Sequence, residues 1–365
     1  MRRAVISAIL AVILCVTASS AFKAQALSLS AETAVLVDSD GGVLFARGAD
    51  KRMQPASMTK IMTAILVIEE CGLDDAVTVG EASVGTEGSS AYLSAGEVFS
   101  VEELLYALLL QSANDAACAL AEYCGGITSF VDRMNGKAKE LRLINTHFTN
   151  PHGLSDKEHY STAYDVASLL LYCMKNPTFR KISGATEYVI SPNGHRYGRY
   201  FTNHNKLLFT CDGVCGGKTG YTVTSGRCLC SYYEKDGVTL CAVTMNAPRD
   251  WDDHKALYEY GRSLYKEVTL DPSGTYMLHV VGGVTDTVEC TVDGSVTVTV
   301  RADATEIKKA VYMRRFEYAP VYAGQKVGCV VFLQDDKIIY TAPLYADNKA
   351  EAEKSGIGDF LKWKK

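Results

Sequence analysis

Apolar residues recur at two spacings along this chain, and the switch between them divides it. From Thr33 to Ala46 an alternating run surrounds Asp38-Ser39-Asp40-Gly41-Gly42. That is the pattern of a hairpin, Ala34–Val37, a turn, then Val43–Phe45. The spacing then lengthens. The run from Ile61 to Ile68 is apolar enough to bury a helix that begins near Ser57. Glu69-Glu70-Cys71-Gly72 ends it, with the glycine as C-cap. Val77-Thr78-Val79 reads as a short strand, and residues 80 to 99 as mostly loop. Ser100 and Glu103 form a capping box. It opens Leu104–Leu110, apolar nearly all round and so a core helix. A second apolar helix follows from Ala116 to Tyr123. Phe130 to Leu143 reads as a surface helix, and Ala163 to Lys175 as another helix. Residues 183 to 209 read as loops or a hairpin. Cys228–Tyr233 and Val238–Met245 form an antiparallel pair around the turn Glu234–Gly237, with Lys218-Thr219-Gly220 opening or preceding its first strand. Trp251 to Lys266 is a helix placed to pack on that sheet.

After about residue 267 period two returns. Thr285 to Val300 is rich in Val and Thr, with a hairpin turn at Asp293-Gly294, and Val327 to Ile339 pairs around Asp335-Asp336. A mixed helix and strand domain over residues 27–266 is therefore followed by a small all-β module, 267–345. Residues 346–365 form a charged tail with Ile357, Phe360, Leu361 and Trp363 among lysines. A solvated end is preferred there to a weak membrane-surface helix.

The chain has 365 residues, 47% of them hydrophobic, enough for one large domain and a smaller one. Its net charge is −5 and it has no long basic run, so nucleic-acid binding has no electrostatic support. Arg2-Arg3, an apolar stretch from Ala4 to Ala18, and Ala24-Gln25-Ala26 read as a cleaved secretory signal over residues 1–26. The protein is expected outside the cytoplasm, in the cell wall or on the outer face of the membrane. Twelve cysteines become eleven when Cys15 leaves with the signal, and an odd number cannot pair completely within one chain. Cys211-x-x-x-Cys215 and Cys228-x-Cys230 are not flanked by clustered histidines, and no Cys-x-x-Cys occurs. Buried or free thiols are expected rather than zinc, and no metal or cofactor is called for.

The chemistry centres on Ser57-Met58-Thr59-Lys60, just after Pro55. A hydroxyl and an amine three residues apart share one helix face. A serine at a helix start has backbone N–H groups without helical partners. A buried lysine loses its proton more readily. Nucleophile, base and oxyanion donor are what acyl transfer needs. The pattern recurs at Ser20…Lys23 and Ser263…Lys266, so spacing alone decides nothing. Ser112 and Asn114 stand among four polar residues between two apolar helices. They fit a polar turn and a cleft-facing pair equally well. Lys218-Thr219-Gly220 occurs once and is followed by Tyr221. Its glycines suit close approach of a ligand to the backbone. A phosphate loop is excluded by the missing upstream glycine and by strand order. His152 and His159 lie in turns and are read as holding loops together rather than as bases.

Three signals thus stand in one order: Ser57-x-x-Lys60, Ser112-x-Asn114 and Lys218-Thr219-Gly220. With Asn150-Pro151-His152-Gly153-Leu154, His159-Tyr160-Ser161-Thr162, Asn203–Leu208 and Gly217–Thr222, they make the chain resemble the penicillin-binding protein and serine β-lactamase superfamily. It is most similar to the low-molecular-mass D-alanyl-D-alanine carboxypeptidases, over about residues 30 to 266. The resemblance implies an α/β (α+β) catalytic domain, a central antiparallel sheet flanked by helices, with a small all-β C-terminal domain. It implies a serine-type carboxypeptidase that takes the terminal D-alanine from peptidoglycan pentapeptides and is acylated by β-lactam antibiotics. Ser57 would be the nucleophile and Lys60 its base. Ser112 would relay a proton, and Asn114 would bind the substrate amide. Lys218 and Thr219 would hold the terminal carboxylate. Beyond Gly220, the N–H of Tyr221 would join that of Ser57 in the oxyanion hole. Two departures stand out. Cys215-Gly216-Gly217 replaces an Asp-Gly-aliphatic sequence, and Pro248-Arg249-Asp250 leaves open whether Arg249 binds carboxylate. A DD-endopeptidase is the alternative. A β-lactamase is disfavoured because no Glu-x-x-x-Asn lies between Asn114 and Lys218. A non-catalytic wall-binding protein would not need all three motifs.

Overall fold

The computed structural model describes residues 27–191, 198–303 and 306–353. The expected signal segment, 1–26, and the tail from 354 lie outside them. In the first half, strands β1 (Thr33–Asp38) and β2 (Val43–Arg47) form the hairpin that the alternation predicts. Then come helix α1 (Lys60–Glu70), the short pair β3 (Ala76–Thr78) and β4 (Val98–Ser100), and helices α2 (Val101–Leu109), α3 (Asn114–Tyr123), α4 (Ile127–Glu140), α5 (Ala163–Cys173) and α6 (Pro177–Gly184). The hairpin β5 (Glu187–Ile190) and β6 (Arg199–Thr202) and the single turn α7 (Leu207–Thr210) lead into β7 (Val214–Thr222), β8 (Gly226–Lys235), β9 (Val238–Met245) and helix α8 (Asp250–Ser263).

Five of these strands make one antiparallel sheet in the order β2-β1-β9-β8-β7. β1 is buried on both faces because helices cover both. Val35 and Val37 join a core with α1, α2, α3 and α5. Leu36, between them in sequence, joins Leu240, Leu257 and Tyr258 under α8 on the other side. Successive strand side chains point to opposite faces, so one apolar strand serves two cores.

The second region holds β10 (Tyr265–Leu270), β11 (Gly274–Val281), β12 (Thr287–Val292), β13 (Val296–Arg301), β14 (Lys308–Met313), β15 (Phe316–Tyr318), β16 (Lys326–Gln334) and β17 (Lys337–Ala346). A six-stranded sheet, β14-β16-β17-β12-β11-β15, and the pair β10-β13 enclose a core of their own, built on Leu278, Cys290, Val330 and Leu344. The domain is all-β, as its period-two texture predicts.

Several local readings change. Ser57 is not on the α-helix but on a 3-10 turn, Ala56–Thr59, that runs into it, and the C-cap of α1 is Cys71 rather than Gly72. Lys218-Thr219-Gly220 precedes the strand that holds Cys228–Tyr233, but not as a loop leading into it. It lies in the middle of a strand of its own, β7, whose glycines masked it. α6, capped by Asn176 with Pro177 in its first turn, was hidden by a polar composition. Asp293-Gly294 is not a hairpin turn, because β12 pairs with β11 and β17 while β13 crosses over to β10. Alternation tells which face of a strand is buried but not which strand it pairs with. Lys266 belongs to β10, not to the last helix. Ala350 is buried and bridged to Val321, and Ala352 is bridged to Gly283, so the first residues of the charged tail pack on the β domain.

Candidate active site

The site forms where the 3-10 turn, the α2–α3 connection and β7 meet. Ala56 sits at φ +48, a left-handed conformation that alanine adopts at a cost. Gly153 packs so closely on this turn that a Cβ would lie 2.0 Å from the Ala56 carbonyl oxygen. Gly220 approaches from the other side, where a Cβ would stand 3.1 Å from the Ser57 nitrogen. The glycines of the two motifs therefore clamp the serine's backbone between them. β7 is the outermost strand of the sheet, so alternate N–H groups along its free edge face away from β8 and toward this turn.

Lys60 is fully buried at the first position of α1. Its Nζ lies 3.0 Å from Ser57 Oγ, 2.6 Å from Asn114 Oδ1 and 2.6 Å from the His152 carbonyl oxygen. Burial, and then the Lys218 charge, hold its pKa well below 10.5. Asn114 opens α3, and its Nδ2 donates to the Glu87 carbonyl, which fixes the amide orientation. Ser112 sits at φ +61, and the Ala113 N–H reaches back 3.1 Å to the Ala107 carbonyl across it. Lys218 is buried too, and burial brings its pKa down to about 7. Its Nζ donates to the Thr219 carbonyl at 3.0 Å.

Above these groups lies a cleft of about 690 Å³, lined by Ser57, Ser112, Thr219, Gly220 and Tyr221 among others. Lys60, Asn114 and Lys218 are buried and do not themselves line it. All three motifs, from Ser57 to Tyr221, thus converge on one place. The arrangement offers a hydroxyl, an amine able to be neutral, and a buried cation beside an unpaired strand edge, the parts of an acyl-transfer site.

Residues 20–249 match the family model described as D-alanyl-D-alanine carboxypeptidase. The chain belongs to the D-alanyl-D-alanine carboxypeptidase family.

Residues 265–352 match a second model, the C-terminal domain of penicillin-binding protein 5. D-alanyl-D-alanine carboxypeptidase DacF of Bacillus subtilis is 32% identical over 382 aligned positions, covering 99% of this chain and 97% of the relative. The solved structure of penicillin-binding protein 5 from Haemophilus influenzae matches with a TM-score of 0.63 and 29% identity, over 88% of this chain and 98% of that one. The Streptomyces K15 DD-transpeptidase matches with a TM-score of 0.61 and 31% identity, over 65% of this chain and 98% of that one.

Around this cleft, two groups escaped sequence reasoning. Arg249, left open above, caps α8 and is exposed, and it is not among the residues lining the cleft. Arg227 on β8 lines it instead, held by Asp250 at 2.8 and 2.9 Å. Its register position opposite Tyr221 explains the placement, and only strand pairing reveals that. Asp115, next to Asn114, accepts the N–H groups of Ala91 and Leu93 at 3.0 Å and shapes the loop facing the cleft.

His152 and His159 hold loops, as read from the sequence. The Thr149 N–H donates to His159 Nδ1 at 3.1 Å, so Nε2 carries the proton and meets Thr59 Oγ1 at 2.8 Å. Thr59 in turn donates to the Ala56 carbonyl at 2.8 Å. Burial lowers His159 to about 4 and His152 to about 3. The unfolded chain, with histidines at 6.5, therefore takes up protons that the folded chain refuses. Stability contributed by His159 is intact above pH 6.5 and is lost as pH falls from there toward 4. The melting temperature should fall over that window, and His159→Gln should show a shallower fall. Equal slopes for the two proteins would remove His159 as a source.

Proposed function

We propose that Ser57 is acylated by the penultimate residue of a peptide ending in D-Ala-D-Ala, with Lys60 as its base. The chain is a serine-type D-alanyl-D-alanine carboxypeptidase of the penicillin-binding type. The observation that carries the residue assignment is the set of three contacts at Lys60 Nζ. A neutral amine has two N–H bonds and one lone pair. The Asn114 and His152 oxygens accept the two N–H bonds. The lone pair is left for the Ser57 hydroxyl.

Ser57 Oγ gives its proton to Lys60 and bonds to the carbonyl carbon. The N–H groups of Ser57 and Tyr221 receive the negative charge that builds on the carbonyl oxygen. The C–N bond then breaks, and the departing D-alanine amine takes a proton relayed by Ser112. Asn114 holds the substrate amide, while Lys218 and Thr219 hold the terminal carboxylate. Water cleaves the ester, and the products are the shortened peptide and a restored serine. No metal or cofactor enters. The substrate is a peptidoglycan stem peptide, and β-lactams occupy the same serine. The N-terminal pattern supports an exported protein acting outside the cytoplasm. Among the described residues, no helix is long and apolar enough to cross a membrane.

The test is to incubate the pure protein with a pentapeptide ending in D-Ala-D-Ala. Free D-alanine should appear with the parent and be absent with Ser57→Ala, and a fluorescent penicillin should label Ser57 alone. Label on Ser263, or undiminished label on the Ser57→Ala protein, would overturn the assignment. The likeness to a DD-transpeptidase over 65% of the chain favours a second outcome, transfer to an added amine acceptor. A cross-linked dimer cleaved to monomers would instead favour the endopeptidase reading.

A further inference from the structure

The two helices that carry Lys60 and Asn114 are matched in length. α1 runs 11 residues from Lys60 and α3 runs 10 from Asn114. At the site they are joined by the 2.6 Å hydrogen bond from Lys60 to Asn114. At their other ends, the first residue past each helix is a cysteine, Cys71 and Cys124. These two sulfurs lie 3.0 Å apart, although 53 residues separate them in the chain. That is closer than two unbonded sulfurs normally pack, and longer than the roughly 2.05 Å of a disulfide. Both thiols are partly exposed. They open on a surface cleft of about 540 Å³ lined by Glu70, Cys71, Asp75, Tyr123, Cys124 and Arg133. The Arg133 guanidinium donates to the Cys124 carbonyl and to Glu70, which puts a cation beside the pair. Glu70 offsets that charge, so contact and access are what the pair offers to thiol–disulfide exchange.

We propose that Cys71 and Cys124 are an oxidation site, closing to a disulfide that fastens the C-terminal ends of α1 and α3 while their N-terminal ends hold the reactive groups. The oxidant is a small-molecule or protein disulfide. One cysteine thiolate attacks it, forming a mixed disulfide and releasing one thiolate. The second cysteine loses its proton and attacks the first sulfur, releasing the other thiolate. Two protein thiols are oxidised, one external disulfide is reduced to two thiols, and the protons go to the released thiolates. Burial and the neighbouring Cys71 raise the Cys124 thiol above its ordinary range, and the exchange gives the same disulfide whichever sulfur attacks first. The bond would also account for two of the eleven cysteines left after the signal, an odd set that composition alone could not pair.

The experiment uses the full chain, reduced and then equilibrated with oxidised glutathione, quenched with acid and alkylated. Peptide mass spectrometry should find Cys71 and Cys124 in one cross-linked species, lighter by two hydrogens than the free pair. The closed loop removes chain entropy from the unfolded state, so the melting temperature should rise by about 5–10 °C over the reduced protein. Cys71→Ser should show neither change and should fold normally. Full alkylation of both thiols after oxidation would overturn the proposal. So would glutathione retained on either sulfur, a cross-link from either one to Cys118, or an equal rise in melting temperature for Cys71→Ser.

Discussion

Lys60→Arg is acylated by a fluorescent penicillin about 10²–10⁴ times more slowly than the parent, the usual loss when general-base catalysis is removed. A guanidinium keeps its proton at any usable pH, so it can donate to Asn114 Oδ1 and the His152 carbonyl but cannot receive the serine's proton. The position is fully buried, and arginine is the larger side chain. A second variant, Lys60→Gln, separates crowding from chemistry, because it is smaller and equally unable to act as an amine. Both should lose acylation while circular dichroism reports a folded chain. The parent's acylation rate should rise with pH until Lys60 is fully neutral, an inflection that lies well below 10.5 because burial and Lys218 disfavour the ammonium. Near-parent acylation by either folded variant would remove Lys60 as the base.

Lys218→Gln loses about one to two decades in kcat/KM toward peptides that end in a free carboxylate. The estimate rests on one charge-assisted hydrogen bond, roughly 1.5–3 kcal/mol. Amidating the peptide terminus should weaken the parent by a similar factor and hurt the variant much less, since the partner is already gone. The pH profile carries a second signature. With Lys218 at about 7 in the free protein, kcat/KM for the carboxylate peptide should fall as pH rises through that value, and the amidated peptide should show no such fall. The folded pKa is depressed below the unfolded 10.5, so the unfolded chain binds the extra proton between about 7 and 10.5. Stability therefore rises with pH across that window in the parent, and this part of the slope vanishes in Lys218→Gln. If the two losses in kcat/KM simply multiply, Lys218 does not read the carboxylate and acts on Lys60 through its charge alone.

Local signals in the chain were enough for the elements whose causes are local. The capping box at Ser100 and Glu103 forms as its spacing says, with Ser100 Oγ accepting the Glu103 N–H at 3.1 Å. The Asp335-Asp336 turn joins β16 to β17, both residues taking the left-handed conformation that aspartate tolerates. The order of the three motifs was legible because each carries its chemistry within four residues. What spacing could not supply was any relation between distant residues. β7 was missed as a strand because Gly216, Gly217 and Gly220 carry no strand signal, and pairing with β8 is what makes it extended. β13 leaves its neighbour for β10 because pairing depends on which sheet edge is open. Lys60 meets Asn114 across 54 residues and His152 across 92, and His159 reaches Thr59 across 100. The amine's burial, and with it the depressed pKa that lets a lysine serve as a base, comes from that packing. Which chemical groups are present, and in what order, can be read along the chain. Their protonation follows from folding, because desolvation and charge proximity are properties of the folded interior and of no single segment.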